Sequence, residues 1–152
     1  MSNAEKPSVL LVDDNEETCT LITAILHRDF RVETAGDGMQ GIEKLRTKQY
    51  EAVLLDLRMP QFDGFSVLDF LKANQPDMLH RVLVVTAVLT RKELERAKSY
   101  GVCGIITKPF DIDVLLDAVK DCAGDRGTLG PTVFCSPVIL LIADLLRQKM
   151  SF

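Results

Sequence analysis

Four short runs of apolar residues divide most of the chain. Within each run, apolar and polar residues do not alternate as they would in a half-exposed strand. A continuous apolar run is typical of a strand that is covered on both faces, as in a parallel sheet. A fifth run, Phe30–Thr34, does alternate and therefore predicts an edge strand. The four continuous runs are Val9–Val12, Ala52–Leu55, Val82–Val85 and Val102–Ile106.

A stretch of helical character follows each predicted strand. The last stretch places four aliphatic side chains at i, i+3, i+4 and i+7, which forms one apolar stripe. Asp37 and Thr90 each precede a glutamine or glutamate by three residues, the spacing of a capping box at a helix start. The predicted helices are Glu16–Arg28, Asp37–Lys48, Gly64–Asn74, Arg91–Tyr100 and Asp111–Cys122.

Strand and helix alternate five times along the chain, and this order predicts an α/β fold. Parallel strands joined by right-handed helical crossovers form a doubly wound, three-layer sandwich. With the first strand central and the second at an edge, the five-stranded parallel sheet is predicted to have the order 2-1-3-4-5 of flavodoxin-like folds. Ligands of such folds bind outside the carboxyl ends of the strands.

Polar side chains follow the ends of the central strands: Asp13 and Asp14 after the first, Asp56 after the third, then Thr86 and Lys108. Three converging carboxylates would repel one another, and a hard divalent cation such as Mg²⁺ relieves that repulsion. One carboxylate can then attack phosphorus and form an acyl phosphate. Lys108 offers a second cation for the phosphoryl oxygens, and Thr86 offers a hydroxyl donor.

Four motifs at these strand ends resemble the signature set of receiver (REC) domains of two-component response regulators. They occur in the same order and at the same spacings, and the resemblance covers about residues 7 to 123. The motifs are Asp13-Asp14, Asp56-Leu57-Arg58-Met59-Pro60 with Asp63-Gly64, Thr86-Ala87, and Lys108-Pro109-Phe110.

The resemblance implies an acceptor and a set of metal ligands. Asp56 would be the phosphoacceptor and also a ligand of Mg²⁺, which is the expected cofactor. Asp14 would bind the metal directly, and Asp13 would act through a metal-bound water. The backbone carbonyl of Arg58 would be a further ligand.

The resemblance also implies how phosphorylation is read. Lys108 would contact the phosphoryl group, while Thr86 would move toward it and carry the signal as a switch residue. Receivers usually place Tyr or Phe three residues before the lysine, but this chain has Ile105, which lacks a flat ring and a hydroxyl. Arg58 occupies the variable position two residues after the acceptor, and we hypothesise that it tunes the lifetime of the acyl phosphate.

The implied function is that of a phosphoacceptor signalling switch in a two-component phosphorelay. A sensor histidine kinase or a histidine phosphotransfer protein would donate the phosphoryl group to Asp56, and the changed surface would engage a partner. Such a domain is not an enzyme in its own right, because it assists only its own phosphorylation and dephosphorylation. A cytoplasmic location is expected.

Three other functions remain open. A Mg²⁺-dependent phosphohydrolase with an aspartyl nucleophile would want a second aspartate two residues after the nucleophile, where Arg58 stands. A flavin mononucleotide binder would need a phosphate loop after the first strand, but the sequence there is acidic. A degenerate receiver that works without phosphate is weakened by the intact acidic residues.

The composition of the chain limits the number of domains and the ligands that it could have. The 152 residues are 47% hydrophobic with a net charge of -4, so one principal domain and no direct nucleic-acid binding are expected. We find neither a Gly-rich dinucleotide motif nor a Walker A motif, so no cofactor-binding residues are assigned. The four cysteines lack close CxxC pairing, and we expect buried free thiols in a reducing cytoplasm.

The two ends of the chain differ in character from the predicted domain. Residues 1–6 are polar and are interpreted as a disordered cloning remnant, followed by the receiver domain over 7–123. Residues 124–136 are rich in glycine and are predicted to be a linker. An apolar helix is predicted over 137–152, either as the dimerisation segment of a homodimer or as the start of a truncated output region that contacts an effector. It is too short for a membrane span.

Overall fold

A computed structural model describes residues 6–60, 62–87 and 89–124, together with the backbone of 132–134. Within these residues, β-strands and α-helices alternate as predicted. The strands are β1 (Ser8–Val12), β2 (Arg31–Ala35), β3 (Ala52–Leu55), β4 (Val82–Thr86), β5 (Gly104–Thr107) and β6 (Thr132–Phe134). The helices are α1 (Glu16–Leu26), α2 (Gly38–Thr47), α3 (Gly64–Asn74), α4 (Arg91–Ser99) and α5 (Ile112–Ala123), and a 3₁₀ helix spans Pro76–Arg81.

The strands form one parallel sheet with the order β2-β1-β3-β4-β5-β6. The predicted order of the first five strands is confirmed. A sixth strand, β6, extends the sheet beyond β5 and lies within the stretch 124–136 that was predicted to be a linker. The predictions for residues 1–5 and for the helix over 137–152 fall outside the described residues.

Side chains from the central strands pack into two apolar layers, one on each face of the sheet. One layer contains Leu10 and Leu55 and packs against α2, α3 and α4; the other contains Leu11 and Leu54 and packs against α1 and α5. Because alternate residues enter opposite layers, the strands need apolar residues at every position. This explains the continuous apolar runs in the sequence.

Side-chain caps fix the starts of α1, α2, α3 and α4. Asp37 accepts a hydrogen bond from the amide of Gln40, and Thr90 forms a complete capping box with Glu93, so both residues are the predicted N-caps. The box at Asp37 is incomplete, because the Gln40 side chain accepts from the Gly36 amide instead. Asn15 and Asp63 cap α1 and α3 in the same way. No helix in the described part of the chain has the length and apolar character needed to cross a bilayer.

The prediction of free thiols is wrong for two of the four cysteines. Cys103 and Cys122 form a disulfide, with their Cα atoms 5.8 Å apart. Cys103 directly precedes β5, and α5 runs back along the sheet so that Cys122, near its end, returns to the start of that strand. Cys19 is a free thiol, whereas Cys135 lies outside the described residues. The cysteines therefore no longer support a reducing compartment.

Reducing the bridge between Cys103 and Cys122 is expected to lower the free energy of unfolding by about 3 kcal/mol, because the bridge restricts a loop of some twenty residues in the unfolded chain. Urea denaturation with and without a phosphine reductant measures this difference. A variant with serine at both positions is the control, since the reductant should leave its stability unchanged. Equal stability of the native chain in both conditions would contradict the prediction.

Candidate functional site

Three predicted site carboxylates meet at the carboxyl edge of the sheet. β1 and β3 are neighbours with Val12 opposite Leu55, so the residues that follow them, Asp13 and Asp56, emerge side by side. One carboxylate oxygen from each of Asp13, Asp14 and Asp56 lies within 4.8 Å of the others. Asp13 and Asp56 are buried, whereas Asp14 is exposed.

The Asp56 carboxylate is held by three donors. Its Oδ1 atom accepts hydrogen bonds from the Thr86 hydroxyl at 2.9 Å and from the Arg58 amide at 3.0 Å. Its Oδ2 atom lies 3.4 Å from the Lys108 ammonium. Burial raises the pKa of the Asp56 carboxyl, although the Arg58 amide and the Lys108 charge act to lower it. The three contacts fix the orientation of this carboxylate.

Lys108 supplies the positive charge of the site. Its Nζ atom lies 2.7 Å from Asp13 Oδ2, so it bridges the two buried carboxylates. Burial acts to lower the pKa of Lys108, but the hydrogen bond to Asp13 and the charge of Asp56 outweigh it and raise the pKa above its ordinary value. The side chain is therefore a cation at neutral pH. Its backbone amide donates to the Thr86 carbonyl at 2.7 Å, which fixes the strand ends to each other.

The loop between β3 and α3 depends on Gly64. A Cβ atom at this position would lie 2.4 Å from the carbonyl oxygen of Asp56 and 2.8 Å from the Cα of Leu57. Glycine therefore allows the start of α3 to approach the backbone that carries the acceptor. The Gly64 amide donates to the Leu57 carbonyl at 3.2 Å, and Asp63 caps the helix.

The two switch residues have different surroundings. Thr86 is fully buried and bonded to Asp56, as a residue that senses the acceptor would need to be. Ile105 is also fully buried, in the apolar layer that includes Val84 and Ala97. Its part in the switch stays a prediction.

Two residues near the site were missed in the sequence. Glu93, predicted only as part of a helix cap, also receives the guanidinium of Arg58 at 2.9 Å. Thr107 lies opposite Thr86 in the β4–β5 register, and its buried hydroxyl has no hydrogen-bond partner among the described residues. The spacing in sequence does not reveal either relation, because both depend on how neighbouring elements pack.

The donor set suits a hard cation. Three carboxylates offer only oxygen atoms, and Mg²⁺ prefers such ligands while retaining several waters. Asp14 is exposed and therefore accessible to a hydrated ion. The residues present thus fit the metal that the sequence predicts.

A doubly wound parallel sheet with an acidic cluster, a buried threonine and a lysine at its carboxyl edge defines a class of phosphoacceptor domains. The chain matches the response regulator receiver domain family over residues 9–120. It therefore belongs to this family, and the predicted membership is confirmed.

Curated relatives and solved structures agree with this assignment. A probable chemotaxis protein CheY of Rhizobium etli is 31% identical, with 82% of this chain and 98% of that protein covered. The transcriptional regulatory protein ZraR of Klebsiella oxytoca is 34% identical over 74% of this chain, but this chain spans only 25% of its length. The receiver domain of the sensor histidine kinase PA1611 from Pseudomonas aeruginosa, solved with a magnesium ion in the active site cleft, is 27% identical with a TM-score of 0.70; 79% of this chain and 99% of that domain are covered.

Proposed function

We propose that this chain is a Mg²⁺-dependent phosphorylation switch in which Asp56 accepts a phosphoryl group from a phosphohistidine. The carrying observation is the position of the Asp56 carboxylate, which is buried between Asp13, Thr86 and Lys108 at the carboxyl edge of the sheet. The donor would be a sensor histidine kinase or a histidine phosphotransfer protein. Because such kinases use ATP, we place the switch in the cytoplasm.

The transfer proceeds by attack of an Asp56 carboxylate oxygen on phosphorus. A bond forms between that oxygen and phosphorus while the bond between phosphorus and the donor nitrogen breaks, and the electron pair stays on the imidazole. Asp14, Asp56 and the Arg58 carbonyl would hold Mg²⁺, with Asp13 acting through a bound water. When bound, Mg²⁺ supplies charge that neutralises the phosphoryl oxygens.

Lys108 and Thr86 act on the product of this step. The Lys108 ammonium lies close enough to Asp56 to contact a phosphoryl oxygen once the acyl phosphate forms. The Thr86 hydroxyl, which donates to Asp56 Oδ1 in the resting protein, would turn toward the phosphoryl group as its new acceptor. The movement would change the surface on which a partner, an effector or a second copy of the chain binds.

The site supports a switch rather than a turnover enzyme. The phosphohydrolase alternative requires a general acid two residues after the aspartyl nucleophile. Arg58 occupies that position in this chain, and its guanidinium is paired with Glu93. This chain spans only a quarter of the length of ZraR, so the transcriptional role of ZraR does not carry over to it. That the switch controls an output is therefore itself a proposal. A receiver domain over 7–123 and a C-terminal helix over 137–152 are part of the proposal as well, whereas the predicted linker over 124–136 contains β6, which pairs with β5.

Incubation with a small acyl-phosphate donor tests the function directly. In the presence of Mg²⁺, the intact mass of the native chain is expected to rise by one phosphoryl group, and chelation of the metal should prevent the rise. No mass gain with Mg²⁺ would favour a degenerate receiver. Continued release of phosphate from phosphate esters over many turnovers would favour the phosphohydrolase.

A further inference from the structure

Helix α4 carries many charged side chains and buries few apolar ones. Its nine residues, Arg91–Ser99, include six with charged side chains, and only Ala97 is buried. Leu94 is partly buried against the apolar layer beneath it. Apolar burial therefore contributes little to holding α4 in place, and polar contacts contribute a correspondingly larger part.

The first turn of α4 is bound to the loop that follows the acceptor. Arg58 Nη2 lies 2.9 Å from Glu93 Oε2, and the same oxygen accepts the backbone amide of Thr90 at 2.9 Å. The Glu93 amide in turn donates to the Thr90 hydroxyl at 3.2 Å. One carboxylate thus joins the cap of α4 to the β3–α3 loop.

The end of α4 is bound to α3 instead. The Arg96 guanidinium lies over the ring of Phe65, 4.0 Å from its centroid. The Tyr100 hydroxyl, just after the helix, donates to Asp69. These contacts do not involve the acceptor loop. The two ends of α4 are therefore held by different parts of the protein.

Arg58 contacts both the acceptor and α4. Its amide donates to Asp56 Oδ1 at 3.0 Å, while its side chain binds Glu93. A phosphoryl group on Asp56 would place close to two negative charges, in exchange for the single charge of the carboxylate, and three acceptor oxygens two residues away from this guanidinium. Guanidinium and phosphoryl groups match in a bidentate geometry that a single carboxylate oxygen does not offer.

We propose that Arg58 is a latch that holds the first turn of α4 through Glu93 in the resting protein and is transferred to the phosphoryl group after phosphorylation. This proposal rests on the proposed function of Asp56. The side chains of the ion pair are 48% and 35% exposed, and exposed pairs of this kind contribute little stability. A weak latch is suitable for a switch, because the phosphoryl group can displace it.

Release of the latch would give the chain a way to report phosphorylation without an aromatic relay. Once Arg58 leaves Glu93, the first turn of α4 loses this ion pair with the acceptor loop, while Arg96 and Tyr100 still hold the other end. The helix would loosen at its start and pivot about its end. Ile105, which is buried and apolar, would need no polar rearrangement.

Hydrogen exchange in the unphosphorylated protein tests the resting latch. In Arg58→Gln and in Glu93→Gln, the amides of Glu93 and Leu94 are expected to exchange about two- to five-fold faster than in the native chain. The glutamine at 93 can still accept the Thr90 amide, so the cap itself is kept. Glu95→Gln, an exposed position on the same helix, is the matched control and should not change. Unchanged exchange in both variants would overturn the latch.

The lifetime of the acyl phosphate tests the transfer of Arg58. In Glu93→Gln the Arg58 guanidinium loses a competing carboxylate partner, so it should contact the phosphoryl group more and shield it from water, and the lifetime should lengthen. In Arg58→Gln that shielding is lost, and the lifetime should shorten. An ion pair that only stabilised the fold would shift both lifetimes in the same direction, and that result would overturn the proposal. If the native chain takes up no phosphoryl group, the proposed function fails, whereas the exchange results in the resting protein still decide whether the latch exists.

Discussion

Asp56→Asn is expected to abolish the gain of a phosphoryl group from a small acyl-phosphate donor in the presence of Mg²⁺. The carboxamide keeps an oxygen that can accept from Thr86 and from the Arg58 amide, so the local structure is preserved. It removes the second carboxylate oxygen and the negative charge, and an amide is a poor nucleophile toward phosphorus. The loss is therefore chemical, and intact mass spectrometry should record no phosphorylated form of the variant.

Asp117→Asn is a suitable control for this experiment. Asp117 is an exposed residue of α5, and the same substitution there should leave phosphoryl uptake at the native level. Circular dichroism of both variants should match the native chain. If Asp56→Asn were phosphorylated at the native rate, the acceptor would be another residue and the proposed function of Asp56 would be wrong.

Lys108→Met is expected to slow phosphoryl uptake by about 10²- to 10³-fold, the cost typical of removing one donor that stabilises developing charge. Methionine has a similar length but carries no charge. Without the ammonium, the buried carboxylates of Asp13 and Asp56 lose their shared counter-charge, and the phosphoryl oxygens lose a contact. The initial rate of mass gain at saturating donor and Mg²⁺ measures the effect.

Lys120→Met serves as the matched control for the lysine substitution. Lys120 is exposed on α5, and its ammonium lies 4.0 Å from an Asp29 oxygen. Its loss should leave the rate unchanged. If Lys108→Met were slow at limiting Mg²⁺ but reached the native rate at saturating Mg²⁺, Lys108 would serve only as a counter-charge for the carboxylates, and its contact with the phosphoryl group would be excluded.

Much of the fold was readable from local pattern. The continuous apolar runs identified strands covered on both faces, and the spacing of Thr90 and Glu93 identified the start of α4. The conjunction of Asp56 and Lys108 could be predicted because parallel strands bring their carboxyl ends to the same edge. Each inference needed only the chemistry of residues near one another in sequence and one rule of topology.

Features that depend on contacts between distant elements were not predicted. The bridge between Cys103 and Cys122 depends on α5 returning to the start of β5, which no spacing rule for cysteines reveals. The pairing of Arg58 with Glu93 depends on how α4 lies against the acceptor loop. The strand β6 has only three residues and follows a glycine-rich stretch, so its sequence does not distinguish it from a linker.

Strand β6 also changes which surfaces are open to a partner. Because it pairs with β5 from Gly104 to Ile106, the strand that leads to Lys108 has a hydrogen-bonded neighbour on each side. Among the described residues, the outermost strand on that side of the sheet is β6, and a strand of three residues is a poor template for the addition of another strand. A binding protein that docks by extending the sheet could therefore not pair with β5 on this flank while β6 is in place.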